Sequence, residues 1–463
     1  AHPAITHPLP SASSLHLYPH LSPLVQSLTA RRLSPIILVL AVNAAIHRKN
    51  AIASGSPTRA VAEAEAAQAY ARLPAVLHER TAALPDQGSL LSVFLPPWLD
   101  RYNAISSSSS SASSALSTAA TVPHDDASKL WPNAPPAALT DHARIQDAVQ
   151  SVVPAEELLV HLGWDASGQA RKVAGARVAG LAGPAAALYE ALVRLGAQVA
   201  QVQGGATRVH LPDMVHAFGA AGCGFAPRSA HSQIYHLADT SPALVLAGTA
   251  EIPLIASVAN DILPTRSLPL RRVAIGSAYR AEAGGGGIRS GGLYRLHQFA
   301  KAEMVTICPL DDVDAEYRHL LEMQHTILRM LQLPYRVIDM APVECGAPAR
   351  RKQDMEVFVP TRGWSEVSST SDCGDYQAIR LAIRHKEHGT KPTFCATLNG
   401  TAVAAPRLLL ALLELGQLRA AAAGHANAFA LPRVLVDMLD VPLPPAQVVA
   451  QDDEIVVVST RRQ

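Results

Sequence analysis

One stretch limits the folds open to this chain more than any other: residues 271–308, RRVAIGSAYRAEAGGGGIRSGGLYRLHQFAKAEMVTIC. Its ends are strand-like, Val273-Ala274-Ile275 on one side and Met304-Val305-Thr306-Ile307 on the other, and its middle loosens into Gly284 to Gly287. Two β-prone runs around a Gly-rich connection predict an antiparallel hairpin with a long tip. Side-chain alternation predicts Arg280 and Glu282 on one face of the first strand, and Arg295, His297 and Phe299 on one face of the second. Such a face suits an anionic, planar ligand such as a nucleotide. Guanidinium forks grip phosphate oxygens in pairs, and an aromatic ring stacks on a base. The alternative is a surface hairpin with scattered charges.

The chain has room for two or three domains, and with 49% hydrophobic and 17% charged residues it is of globular type. A net charge of +1 gives no overall basic field, so any contact with nucleic acid has to come from local patches. The five cysteines (Cys223, Cys308, Cys345, Cys373, Cys395) show no CxxC spacing. That argues against a zinc knuckle or a disulfide framework and fits a reducing compartment, with each thiol read as a small buried side chain. The apolar run Pro35 to Val42 is too short for a membrane span and reads as a buried helix, so no membrane association is expected.

Residues 1–101 read as a helical N-terminal domain, with Ala- and Leu-rich stretches at Leu24 to His47 and Ala60 to Leu84. The serine run Ser106 to Ser111 marks a linker over residues 102–130, or alternatively a loop insertion within one domain. Residues 131–463 then form the main domain. Within it, Ala185 to Leu195 and Asp311 to Leu333 predict amphipathic helices, and Val209 to Pro212 and Val337 to Met340 predict strands.

The segment YRAEAG…GLYRLHQFAKAE resembles the second signature motif of class II aminoacyl-tRNA synthetases in its seryl-tRNA synthetase form, FRxEAG…RGLYRxHQFxKxE. Three further segments keep that family's order. They are Thr249-Ala250-Glu251-Ile252-Pro253-Leu254, Glu366-Val367-Ser368-Ser369, and Leu398-Asn399-Gly400-Thr401 running on to Arg407. The resemblance covers roughly residues 205–440 and implies an α+β fold: an antiparallel sheet flanked by helices. It implies a serine--tRNA ligase that uses ATP and Mg2+ to form seryl-adenylate and charges tRNA(Ser). The alternatives are an aminoacyl ligase acting on another carrier and a non-catalytic, synthetase-like subunit of a larger assembly.

Carried over by position, Arg280 holds the α-phosphate and the amino-acid carboxylate, Arg407 the γ-phosphate, and Phe299 the adenine ring. Glu282 lies near the adenine amino group. Thr249, Glu303, Asn399 and Thr401 recognise serine, with Glu303 meeting its ammonium group. Glu366 and Ser369 bind magnesium. In a regular strand Ser369 points away from Glu366, so this pairing needs a bend or a bulge. Lys352, Asp354 and Glu356 read equally as secondary site residues and as a solvated charged turn. Pro212 falls where the family keeps a proline at a homodimer interface.

Two departures concern tRNA. Ile288 and Gly291 stand where the family's loop carries arginines, with Arg289 between them, and no sustained heptads of a tRNA-clasping coiled coil occur before residue 101. These departures, and a Ser-, Pro- and His-rich beginning that is a faint sign of a removed presequence, lead to the expectation of a divergent mitochondrial form.

Overall fold

The computed structural model describes residues 89–94, 152–225, 233–282 and 292–460. All of them fall in the compact unit Arg80–Gln463. The remainder of the expected helical domain, the serine-rich linker, and the glycine-rich tip with Ile288, Arg289 and Gly291 lie outside the described residues.

The main sheet takes eight strands, numbered here along the chain: β1 (Ser89–Phe94), β2 (Thr207–Arg208), β3 (Leu270–Tyr279), β4 (Gln298–Cys308), β5 (Tyr335–Asp339), β6 (Arg351–Val359), β7 (Gly363–Asp372) and β8 (Ala396–Ala404). Their order is β1-β5-β6-β7-β8-β4-β3-β2. Every neighbouring pair is antiparallel except β2 and β3. The predicted hairpin is β3–β4, running in unbroken register from Leu270↔Ile307 to Tyr279↔Gln298.

Three readings are corrected. Ser89–Phe94, placed in the helical domain, is an edge strand of this sheet, paired from Phe94↔Tyr335 to Ser89↔Asp339. The run SLLSVF carries a β-branched and an aromatic residue between Gly88 and the pair Pro96-Pro97, and such short punctuated runs are strands more readily than helices. The strand expected at Val209 to Pro212 lies two residues earlier, at Thr207–Arg208, because Pro212 has no N–H to extend a ladder. Arg280 and Glu282 lie beyond the end of β3, and Arg295 and His297 precede β4, so these four are not alternating strand residues. One further bond, from Arg280 N–H to the His297 carbonyl (2.9 Å), closes the hairpin there.

Three long helices, α1 (Gly183–Val202), α2 (Val313–Met330) and α3 (Ala405–Ala422), pack with the sheet in one core. In α1, Leu188, Leu192, Leu195 and Val199 recur at helical spacing and are buried. Each such burial contributes roughly 1.5–3 kcal/mol. At Gly196 a side chain is impossible without a shift, since an added Cβ would meet Val403 Cγ2 at 2.7 Å. Alternation along β4 divides that strand between two cores. Ala302, Met304 and Cys308 join the helices, whereas Val305 and Ile307 join a second cluster with Ile252, Leu254 and Leu381. The face bearing Val305 and Ile307 continues toward the hairpin tip as Glu303, Lys301 and Phe299. One face of one strand is therefore apolar at one end and charged at the other, and the charged end opens into a cleft.

Candidate active site

The cleft, about 560 Å³ including its open mouth, is lined by Arg280, Glu282, Tyr294, Arg295, Phe299, Lys301, Glu366, Ser369, Thr401 and Arg407, among others. That size suits a nucleotide-scale ligand.

Its floor depends on an irregularity. β7 pairs Glu366 with Glu356 and Ser368 with Met355, so Val367 is an extra residue, and Ser369 then pairs with Asp354. Because Glu356 and Asp354 share a face of β6, the bulge brings Glu366 and Ser369 onto one face. Burial follows the same switch: Glu366 and Ser369 are half-buried, whereas Val367 and Ser368 between them are buried. A second shift, between Thr401 and Val403, bends β8 opposite Glu303. Beside these bulges, β7 and β8 keep only the pairs Thr370↔Gly400, Ser371↔Asn399 and Asp372↔Leu398. The side chain of Gln324, on α2, bridges the strands where they part. Its amide donates to the carbonyls of Ser369 (2.9 Å) and Thr401 (3.0 Å) and accepts from Thr370 Oγ1 (2.7 Å). This role was not evident from the sequence, where Gln324 reads as one polar residue in a helical stripe.

Arg280 enters from the end of β3. Its guanidinium lies 5.3 Å from the centre of the Phe299 ring, and among the described residues it has no hydrogen-bond or carboxylate partner. Burial lowers its pKa, opposed by the charges of Glu366, Glu282 and Glu303 and assisted by Arg407. A desolvated guanidinium without a carboxylate partner, facing a cleft, is a receptor for an anion. Arg407, in the first turn of α3, donates from Nη1 to the Glu366 carbonyl (2.6 Å), and its guanidinium lies 4.7 Å from the centre of the Tyr294 ring. Burial opposes ionisation of Glu366, but Lys352, Arg407, Arg280 and Lys301 together outweigh it and hold its carboxyl below its ordinary range.

Glu282 has a positive φ of 47°, an uncommon conformation for a non-glycine residue. Its carboxylate pairs with Arg295, and its carbonyl accepts from Arg177 Nη1 at 2.7 Å. His297, expected on the same face as Phe299, instead places Nδ1 at 2.7 Å from the Tyr235 hydroxyl.

Deeper in the cleft wall, Thr249, Glu303, Asn399 and Thr401 are all buried and close together. Thr401 Oγ1 donates to Glu303 (3.4 Å), and Asn399 Nδ2 donates to Glu251 (2.9 Å). Gln377 Nε2 donates to the same Glu251 oxygen at 2.6 Å. Burial, then the charge of Glu303, pushes Glu251 up to about 7, against the pull of Gln377 and Lys301. Lys301 places its ammonium 2.6 Å from Glu303 Oε2 and 3.1 Å from Thr249 Oγ1. The two-residue spacing of Phe299, Lys301 and Glu303 is the signal in the sequence that sets Lys301 on this face.

Of the secondary candidates, Lys352 pairs with Asp354 at 2.9 Å beside Ser369, and burial followed by Glu366 raises the Asp354 pKa. Glu356 turns to Arg336 (2.6 Å) at the sheet's outer part. Among the described residues no group of three or more His, Cys, Asp or Glu forms a metal cage. Glu366 and Ser369 offer two hard oxygens, a set that suits Mg2+ when phosphates supply further ligands.

Residues 235–415 match the model of the tRNA synthetase class II core domain (G, H, P, S and T). The serine--tRNA ligase of Rhodopirellula baltica is 44% identical over 215 residues, covering 45% of this chain and 50% of that protein. That of Borrelia recurrentis is 40% identical over 262 residues, covering 56% and 61%. The chain thus spans about half to three-fifths of the length of these curated relatives. Among solved structures, seryl-tRNA synthetase from Pyrococcus horikoshii complexed with ATP superposes with a TM-score of 0.64 at 23% identity, covering 93% of this chain and 95% of that one. Prolyl-tRNA synthetase of Giardia lamblia in complex with prolyl-adenylate gives 0.51 at 12% identity, covering 63% and 55%. The domain built on the eight-stranded sheet has the class II tRNA synthetase fold, and its sequence is similar to those of serine--tRNA ligases.

Proposed function

We propose that this chain is a serine--tRNA ligase: it converts serine and ATP to seryl-adenylate and pyrophosphate, then passes the seryl group to tRNA(Ser). The observation that carries the reading is Arg280, a half-buried guanidinium with no carboxylate partner among the described residues, set between a ring suited to a base and a buried pocket of Thr249, Glu303, Asn399 and Thr401.

In the first step a serine carboxylate oxygen attacks the α-phosphorus and pyrophosphate leaves. No protein nucleophile is needed, so positioning and charge neutralisation supply the acceleration. Arg280 binds both the carboxylate and the α-phosphate, aligning nucleophile and target. Arg407, at a helix N-terminus, holds the γ-phosphate. Thr401 and Asn399 meet the serine side chain; a pocket built to pair a hydroxyl disfavours alanine, which leaves those groups unpaired. Glu366 and Ser369 would hold Mg2+, which when bound neutralises charge across the phosphates.

The finer parts of the reading are a homodimer and a mitochondrial location. Exposed Met214 and Phe218, just after Pro212, support the first. The second rests on the divergence of the segments expected to meet tRNA: Ile288 and Gly291 in place of arginines, and no sustained heptads before residue 101. Residues 1–101, apart from the edge strand, are proposed to carry the divergent tRNA arm.

Serine-dependent ATP–pyrophosphate exchange, run beside threonine, alanine and glycine, tests the first step without any tRNA. Exchange with serine alone is expected. Its absence with every amino acid, from folded protein with Mg2+, would overturn the enzyme reading in favour of a scaffold. Exchange without charging of tRNA(Ser) would point to another acceptor.

A further inference from the structure

Lys301 occupies the place that the proposed function reserves for the substrate. Its ammonium lies within hydrogen-bond distance of Glu303 Oε2, the group expected to receive the amino group of serine, and of Thr249 Oγ1, another residue of the serine pocket. Glu303 cannot serve both ammonium groups well, because two like charges would then share one buried carboxylate. The neighbouring carboxylate offers no relief. Gln377 and Asn399 both donate to the same oxygen of Glu251, and its side chain is buried.

We propose that Lys301 is an internal stand-in for the substrate ammonium. It is displaced from Glu303 by the amino group of the incoming amino acid, and its freed ammonium then turns to the substrate's carboxylate. This rests on the serine reading of the pocket. The exchange keeps the charge balanced, since a zwitterion brings one positive and one negative group: the first replaces Lys301 on Glu303, and the second receives the released lysine beside Arg280. Lys301 lines the cleft, and its charge already acts on Glu366 across it, so its new position lies within the same cleft. Its four-carbon stem permits the swing without movement of β4.

Lys301 is thereby a specificity-determining residue. An amine that carries the serine hydroxyl but no carboxylate displaces the lysine and gives it nothing to bind. Ethanolamine is that molecule, and the pocket should reject it despite its ammonium and hydroxyl groups.

The test is calorimetric binding of ethanolamine and of serine to the full chain, to Lys301→Met and to Lys301→Gln, at about pH 8, where ethanolamine carries its ammonium charge. Lys301→Gln keeps a hydrogen-bond donor toward Thr249 and guards against a Met variant that fails to fold; melting curves verify both. Ethanolamine should bind at least about tenfold more tightly to both variants than to the native chain, as expected from removing a competing charge. Serine should gain no affinity, and the maximal rate of pyrophosphate exchange should fall. A lysine with a merely structural role would leave ethanolamine binding unchanged or weaker in a folded variant, and either result overturns the proposal. Failure of the serine reading is separate: it shows as absent serine-dependent exchange in the native chain, whatever ethanolamine does.

Discussion

Replacing Arg280 by methionine should damage activity and strengthen the fold together. In the structure the guanidinium has no acid partner among the described residues; its recorded contact is the Phe299 ring at 5.3 Å, and burial lowers its pKa. The folded chain therefore bears a desolvation cost that the charges of Glu366, Glu282 and Glu303 offset in part and an anionic ligand offsets further. Methionine removes that cost at similar length, for a gain of about 1 kcal/mol. In a domain of this size that corresponds to a rise in melting temperature of ~2 °C. Activity moves the other way. Two charge-assisted hydrogen bonds to the carboxylate and the α-phosphate, at ~1.5–3 kcal/mol each, total roughly 3–6 kcal/mol. That is a loss of about 10² to 10⁴ in kcat/KM for serine-dependent exchange. The assay pairs pyrophosphate exchange with thermal unfolding in the absence of ligand. Arg407→Met is the control. That guanidinium bonds to the Glu366 carbonyl and packs on Tyr294, so its loss should lower both activity and melting temperature. The argument is refuted if Arg280→Met melts below the native chain, or if its exchange activity stays within a fewfold.

Other substitutions test other parts of the site. Glu251 is raised from its ordinary 4.5 to about 7 by burial, so the native state holds a proton that the unfolded chain sheds at lower pH. Its contribution is fully present below about pH 4.5 and is lost as pH rises through 7, a decline of ~3 kcal/mol. Urea unfolding of the native chain and of Glu251→Gln across this window should show that difference, and parallel profiles would contradict it. Gln324→Met removes the amide that donates to the Ser369 and Thr401 carbonyls and accepts from Thr370 Oγ1, leaving the Thr401 carbonyl with the Ser368 hydroxyl. It should cost ~2–5 kcal/mol of stability and raise the Mg2+ concentration needed for exchange; an unchanged Mg2+ requirement would separate the bridge from the proposed metal ligand. Gly196→Ala sets a Cβ at 2.7 Å from Val403 and should destabilise by about 1–2 kcal/mol despite alanine's better helix propensity, measured by denaturant midpoint.

Local pattern was enough for the hairpin and the helices. The β3–β4 strands and the helices around Ala185 and Val313 follow from side-chain period, which a chain carries along its own length. The identity of Arg280, Glu303, Glu366, Ser369, Thr401 and Arg407 as candidates came from resemblance, and the fold gathers them around one cleft. The positions of Glu282 and His297 escaped the alternation argument because the ladder ends at Tyr279↔Gln298. Beyond it, turn geometry rather than strand period aims the side chains.

What the sequence determined by itself, then, was the main hairpin, the long helices and which residue types could meet an anion. Tertiary structure decided the rest. The shared face of Glu366 and Ser369 depends on an extra residue that shows only against the register of β6. The edge strand Ser89–Phe94 exists because Tyr335–Asp339 offers it a partner more than two hundred residues away. Likewise, Lys301 reads as one charge in a strand until Thr249 is brought beside it, 52 positions apart in sequence. Register, splay and ion pairing are relations between distant segments, and their energies arise only when folding brings those segments into contact.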